Sequence, residues 1–102
     1  MKLTIIGAGP GGYSAAFAAA KAGVEVTLVE RAKLGGTCLH TGCIPTKTLR
    51  SSADVLEMSG RLAEFGITGE CALKADMPAI VNRKRKVTAT LQIGRASCRE
   101  RV

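Results

Sequence analysis

Ile5-Ile6-Gly7-Ala8-Gly9-Pro10-Gly11-Gly12-Tyr13 is the stretch that decides the fold. Its glycines at 7, 9 and 12 spell G-x-G-x-x-G, and the residues on either side give that pattern its context. Ahead of it, Lys2–Ile6 is an Ile-rich apolar run closed by glycine, which predicts a short buried strand. Behind it, Gly11–Ala22 predicts a helix. Ala15, Ala16, Ala18, Ala19, Ala20 and Ala22 are strong helix formers with small side chains, and Gly23 is a natural stop. Val24–Val29 is a second short, β-rich run that reads as buried. Strand, helix and strand within about 30 residues make a βαβ unit, with parallel strands and a right-handed crossover. The expected class is α/β, the opening part of a doubly wound sheet.

The loop's chemistry follows from missing side chains. Gly7 permits the tight turn, Gly9 lets the backbone approach a pyrophosphate, and Gly12 lets helix and strand pack closely, as in Rossmann-like domains. The helix N-terminus offers free N–H groups and a partial positive charge to phosphates. Glu30 ends the second strand, where an acid can accept hydrogen bonds from an adenosine ribose and repel a 2′-phosphate. Pro10 and Gly11 complete the loop and Arg31 follows the acid, so they join the cofactor-binding candidates. The motif alone does not separate FAD from NAD.

Composition narrows the alternatives. With 46% hydrophobic and 23% charged residues, the balance is that of a globular chain. No apolar run reaches the roughly 20 residues a membrane helix needs, and the apolar start is too short for a secretory signal. A cytoplasmic location is expected, which makes a structural disulfide framework a poor reading of the 4 Cys. Aromatics are 3% of the chain, leaving few stacking platforms for single-stranded nucleic acid. The net charge of +7 is concentrated in Arg83-Lys84-Arg85-Lys86 and in Arg95, Arg99 and Arg101. The first block reads as a solvated helix face, with the Lys84 stem lying over the apolar side. A small basic binding module is the reading it would support on its own.

Farther along, Arg31–Thr37 reads as a loop and Thr46–Met58 as a helix with Leu49, Ala53, Val55 and Leu56 on one face. Arg61–Phe65 is a short helical piece and Cys71–Leu73 a candidate strand. Asp76 is placed to cap a helix from Met77 to Gln92, in which Ile80, Val81, Lys84, Val87 and Leu91 recur at helical spacing.

The segment Leu34-Gly35-Gly36-Thr37-Cys38-Leu39-His40-Thr41-Gly42-Cys43-Ile44-Pro45-Thr46-Lys47 carries the second constellation. It resembles the redox-active disulfide motif of the flavin-dependent pyridine nucleotide–disulfide oxidoreductases. The glycine loop and Glu30 match the FAD-binding start of the same family. The resemblance runs from about Lys2 to Gln92, and its wording is most similar to the branch that oxidises dihydrolipoamide to lipoamide. Branches acting on mercuric ion or glutathione are the alternatives. The resemblance implies FAD as cofactor, NAD at a site outside this chain, a homodimer, and lipoyl-bearing partners of 2-oxo-acid dehydrogenase or glycine-cleavage systems. It implies a Cys38–Cys43 bridge, with Cys38 as interchange thiol and Cys43 as flavin-side thiolate. Lys47 matches a lysine near flavin N5, and Gly36 and Thr37 match positions that contact FAD. The family's catalytic histidine comes from a partner subunit, so His40 reads as a loop residue.

That pairing constrains the backbone. Residues five apart on a regular helix differ by about 7.5 Å of rise, while a disulfide needs Cα atoms within about 7 Å. A bend is therefore expected, with Gly42 in an unusual conformation and Pro45 pushing Ile44 out of the helical region. Such a bridge suits exchange in a reducing compartment. Zinc is a poor reading of Cys38, His40 and Cys43, because no second ligand pair accompanies them. Cys71 reads as a small buried hydrophobe.

The last ten residues, Ile93-Gly94-Arg95-Ala96-Ser97-Cys98-Arg99-Glu100-Arg101-Val102, resemble the in-frame translation of a short-read sequencing adapter. Residues 1–92 are accordingly expected to be the first part of an FAD-binding domain, and 93–102 a non-native tail.

Overall fold

The computed structural model describes residues 1–70 and 72–96. The elements run β1 (Lys2–Ile6), α1 (Pro10–Lys21), β2 (Glu25–Val29), α2 (Gly36–His40), α3 (Cys43–Ser59), a 3₁₀ turn (Leu62–Phe65) and α4 (Met77–Ala96). β1 and β2 are parallel, with Lys2 opposite Glu25 and Ile6 opposite Val29. The ladder continues one step past the strands, where Gly7 N–H donates to the Val29 carbonyl at 2.7 Å. The expected βαβ unit is present.

Its strands are less buried than their apolar wording suggested. Val26 and Leu28 are half-buried, while Glu25, Thr27 and Val29 are exposed. Ile6 is 86% exposed. The physical reason is that α1 packs on one side of the two-stranded sheet, and the alternating side chains of the other side face out.

α4 lies against both α2 and α3. The Asp76 carboxylate accepts the Ala79 N–H at 3.0 Å, and its carbonyl accepts the Ile80 N–H, so the expected cap is in place. Ile80, Val81, Lys84 and Val87 are half-buried, the expected face, whereas Leu91 is exposed. Arg83 departs from the solvated reading, since its Nη1 donates to the Thr48 carbonyl at 3.1 Å.

α3 turns a different face inward from the one its leucines mark. Pro45 and Thr48 are buried and Ser52 half-buried, while Leu49, Ala53, Val55 and Leu56 are exposed. Periodicity finds an apolar stripe; which neighbour lies within reach decides what is covered. Ala72 and Leu73 are not strand and Leu73 is 54% exposed, while Cys71 and residues 97–102 lie outside the described residues.

Candidate active site

The glycine loop joins β1 to α1 with a sharp reversal. Gly7 has φ +98°, a region that favours glycine. A Cβ on Gly12 would collide with the Gly7 carbonyl, so the helix can start against the strand only without one. Gly9 and Gly11, in contrast, have open space where a Cβ would stand. Pro10 is the first residue of α1, where its missing N–H costs nothing. Gly9 precedes it and offers no side-chain cap, so no side chain at the N-cap satisfies the first N–H groups of α1. This open, uncapped helix start suits a diphosphate.

Glu30 follows β2 and turns back toward the loop. Its Oε2 accepts the Ala8 N–H at 2.8 Å and its Oε1 accepts the Ala32 N–H at 3.0 Å. These bonds, Ala8 first, hold the carboxyl below the usual glutamate range, helped by the backbone and charge of Arg31. Each oxygen keeps a lone pair for a further donor such as a ribose hydroxyl. Arg31 itself is exposed beside it.

The redox segment is a helix–break–helix. Cys38 sits within α2 and Cys43 begins α3, and the two are joined as a disulfide with Cα atoms 4.6 Å apart. The break at Thr41-Gly42 is the expected bend. Its details differ from expectation. Gly36 and Thr37 already belong to α2, and α3 starts at Cys43 with Ile44 and Pro45 inside it. Pro45 stands in the first helical turn, where an N–H has no intrahelical acceptor to lose. Gly42 has φ −123° and ψ −114°, outside the β and right-handed α regions, so the expected unusual conformation is present without a positive φ. A Cβ there would stand 3.0 Å from the Thr37 carbonyl oxygen and 3.3 Å from the Cys38 Cα, so space is what the position demands. Cys43 and Lys47, one turn apart on α3, are both exposed, while Cys38 is half-buried.

Glycine loop and redox segment meet directly. A Cβ on Gly36 would stand 2.8 Å from the Gly9 Cα. Gly35 N–H donates to the Ala8 carbonyl at 2.9 Å. The core of this junction is Ala8 and Leu39, both fully buried. His40 is not a loop residue: it closes α2, and its Nε2 lies 2.9 Å from the Leu34 carbonyl oxygen. Sequence reasoning missed this bond, the Glu30–Ala8 bond and the Arg83–Thr48 bond. The acid at the end of β2 points to a ligand contact at Glu30, but nothing in the residue order announces the other two.

A family model described as pyridine nucleotide-disulphide oxidoreductase matches residues 1–97. The chain belongs to that family. Among relatives, a dihydrolipoyl dehydrogenase of Rhizobium etli is 48% identical over 90 residues, 88% of this chain and 19% of that protein. One from Bacillus subtilis is 46% identical over 95 residues, 92% of this chain and 21% of the relative. A solved structure, the Cu(II) complex of the HOCl-induced flavoprotein disulfide reductase RclA from Escherichia coli, superposes with a TM-score of 0.68. It is 31% identical, and the match covers 93% of this chain and 18% of that one. The chain thus spans about a fifth of the length of the curated relatives it matches. The α/β, Rossmann-like class expected from the glycine loop is the class of this family, and a Cys38–Cys43 disulfide is in place. No helix of the described residues is long and apolar enough to cross a membrane.

Proposed function

We propose that the protein carrying this chain is an FAD-dependent disulfide oxidoreductase that oxidises dihydrolipoamide to lipoamide and hands the electrons to NAD⁺. The observation that carries the reading is the Cys38–Cys43 bridge set against a glycine loop at an uncapped helix start. The 46–48% identity to dihydrolipoyl dehydrogenases favours this substrate over mercuric or glutathione-type disulfides.

In this reading the chain's residues divide the work. Gly7, Gly9, Pro10, Gly11 and Gly12 shape the phosphate site, and N–H groups of the first turn of α1 donate to the diphosphate. Glu30 accepts from the ribose, with Arg31 at its side. Gly36 and Thr37 open α2 against the same cofactor. A substrate thiolate attacks the Cys38 sulfur, breaking its bond to Cys43, which leaves as a thiolate. The second substrate thiol then displaces Cys38, giving lipoamide and a reduced cysteine pair. Two electrons and the substrate's two protons have left the dithiol, and the proton not held by Cys38 goes to a base. Lys47 contributes a cation that favours the Cys43 thiolate. Bound FAD supplies the two-electron acceptor that restores the bridge. The NAD site, the second subunit of a homodimer and docking to lipoyl-bearing proteins belong to the rest of the protein. A cytoplasmic location fits this chemistry.

We further assign residues 1–92 to the first part of the FAD-binding domain and 93–102 to a non-native tail. Amplifying the locus from source DNA tests this and yields the full-length gene. Recovery of codons 93–102 intact would remove the tail reading. The full-length protein should be yellow and reduce NAD⁺ with dihydrolipoamide. Cys38→Ser should show a long-wavelength charge-transfer band without reductant, from the Cys43 thiolate beside the flavin, and Cys43→Ser should not. Identical spectra would overturn the assigned roles, and a colourless protein the whole reading.

A further inference from the structure

We infer that His40 is a positioning residue that clamps the redox helix to the cofactor loop through a single peptide group. The Leu34–Gly35 peptide is engaged at both ends. Its carbonyl faces His40 Nε2 at 2.9 Å, and its N–H donates to the Ala8 carbonyl at 2.9 Å. A carbonyl only accepts, so Nε2 carries the proton and the ring is the donor. Ala8 in turn gives its own N–H to Glu30 at 2.8 Å. One continuous hydrogen-bonded path thus runs from the last residue of α2 to the acid of the cofactor loop.

The clamp acts where the bridge needs it. α2 is only five residues long, so its own hydrogen bonds hold it weakly. Its first residue is pressed on Gly9, and Leu39 fills the buried space beside Gly35. His40 fixes the other end, two residues beyond Cys38. When the bridge is open, this bond holds Cys38 within reach of Cys43. Without it, α2 swings more freely and the two thiols meet less often. The effective concentration of one thiol at the other falls, and the disulfide becomes easier to reduce.

The inference rests on the redox reading of the Cys38–Cys43 pair, and its readout is the state of the two thiols rather than turnover. The full-length protein is equilibrated in glutathione buffers, in which two glutathione thiols reduce the bridge and leave as glutathione disulfide. The fraction of reduced pair is read by alkylation. His40→Gln keeps an N–H donor near the Nε2 position and should match the parent. His40→Glu has the same length but offers no donor when ionised. It should become reduced at an about 3–10-fold lower ratio of [GSH]² to [GSSG], the range that one part-buried hydrogen bond is worth. His40→Leu should shift the same way, and melting temperatures of all variants are compared. If Gln and Glu shift alike, or neither shifts while the parent titrates normally, the clamp is overturned. If the parent shows no disulfide–dithiol transition, the redox reading falls first and this inference falls with it.

Discussion

Arg83 on α4 donates from Nη1 to the backbone carbonyl of Thr48 on α3, 35 residues earlier, at 3.1 Å. Thr48 is buried, and its hydroxyl bonds back to the Ile44 carbonyl at 2.8 Å. A charged residue in a basic block thereby becomes the polar tie between α4 and the helix that Cys43 begins. In the full-length protein, Arg83→Ala should cost about 1–2 kcal/mol, the lower part of the range for a hydrogen bond with one charged partner, because Arg83 is exposed. Arg85→Ala, exposed on the same helix, should stay within about 0.5 kcal/mol. Urea unfolding of the two variants separates them, and equal losses would show that the Thr48 bond contributes nothing.

Gly12 and Gly9 should respond to alanine in opposite ways. At Gly12 the new methyl meets the Gly7 carbonyl, so the backbone must shift, at a cost of about 1–3 kcal/mol. At Gly9 the methyl enters open space and stability should hold within about 0.5 kcal/mol. That same space is where a diphosphate would approach, so Gly9→Ala should still weaken FAD retention at least about tenfold. Thermal melts and FAD titration of the apoprotein give both quantities. A Gly9→Ala protein with normal FAD affinity would remove the phosphate role of the loop.

Glu30 ties acid sensitivity to the cofactor loop. Its carboxyl is held below the ordinary glutamate range, chiefly by the Ala8 N–H and then by the Ala32 N–H. A group with a lowered folded-state pKa contributes stability above its unfolded pKa and loses it as pH falls through the folded one. The stability advantage of the parent over Glu30→Gln should therefore be full at neutral pH. It should shrink on acidification, beginning in the ordinary glutamate range and finishing below it. Urea unfolding from pH 7 downward measures it. An advantage that stays constant with pH would mean that the carboxylate's charge plays no part.

The 102-residue chain by itself should be a poor protein. Its surface area is 7883 Å², against roughly 5500 Å² for a compact monomer of 10.6 kDa. Its radius of gyration is 19.4 Å, against about 13 Å for a compact domain of this size. Ala8 and Leu39 are the fully buried apolar residues among those described, too few to offset chain entropy. Expressed alone, it should lack stoichiometric FAD and dihydrolipoamide activity. Its amides should exchange with solvent within minutes. A yellow, monodisperse and exchange-protected product would refute this.

Local order was legible in the sequence because local rules governed it. Helix α1, the reversal at Gly7–Gly12 and the Asp76 cap each follow from residues a few positions apart, and the parallel pairing of β1 with β2 follows from the strand–helix–strand order. The bend between Cys38 and Cys43 followed from helix geometry once the pairing was taken from the resemblance. Failures came where a partner distant in sequence decided the outcome. The leucines of α3 predict an inward face, yet Pro45, Thr48 and Ser52 are the covered positions, and α2 and α4 are the elements that pack against α3. From sequence His40 reads as a loop residue, because nothing around it announces that Leu34 turns its carbonyl toward it. Pro45 was expected to delay α3, but the first turn of a helix tolerates proline.

One consequence concerns synthesis on the ribosome. The ties at the junction, Gly7 to Val29, Ala8 to Glu30, Gly35 to Ala8 and His40 to Leu34, all lie between residues 7 and 40. At about 5–20 residues per second, a segment of that length is made within seconds. The partners of each tie are therefore synthesised almost together, yet, as for the 102-residue chain by itself, the ties should gain lasting protection only when the rest of the protein covers them. Flavin would then be captured late, by a loop long since translated but still waiting for its cover.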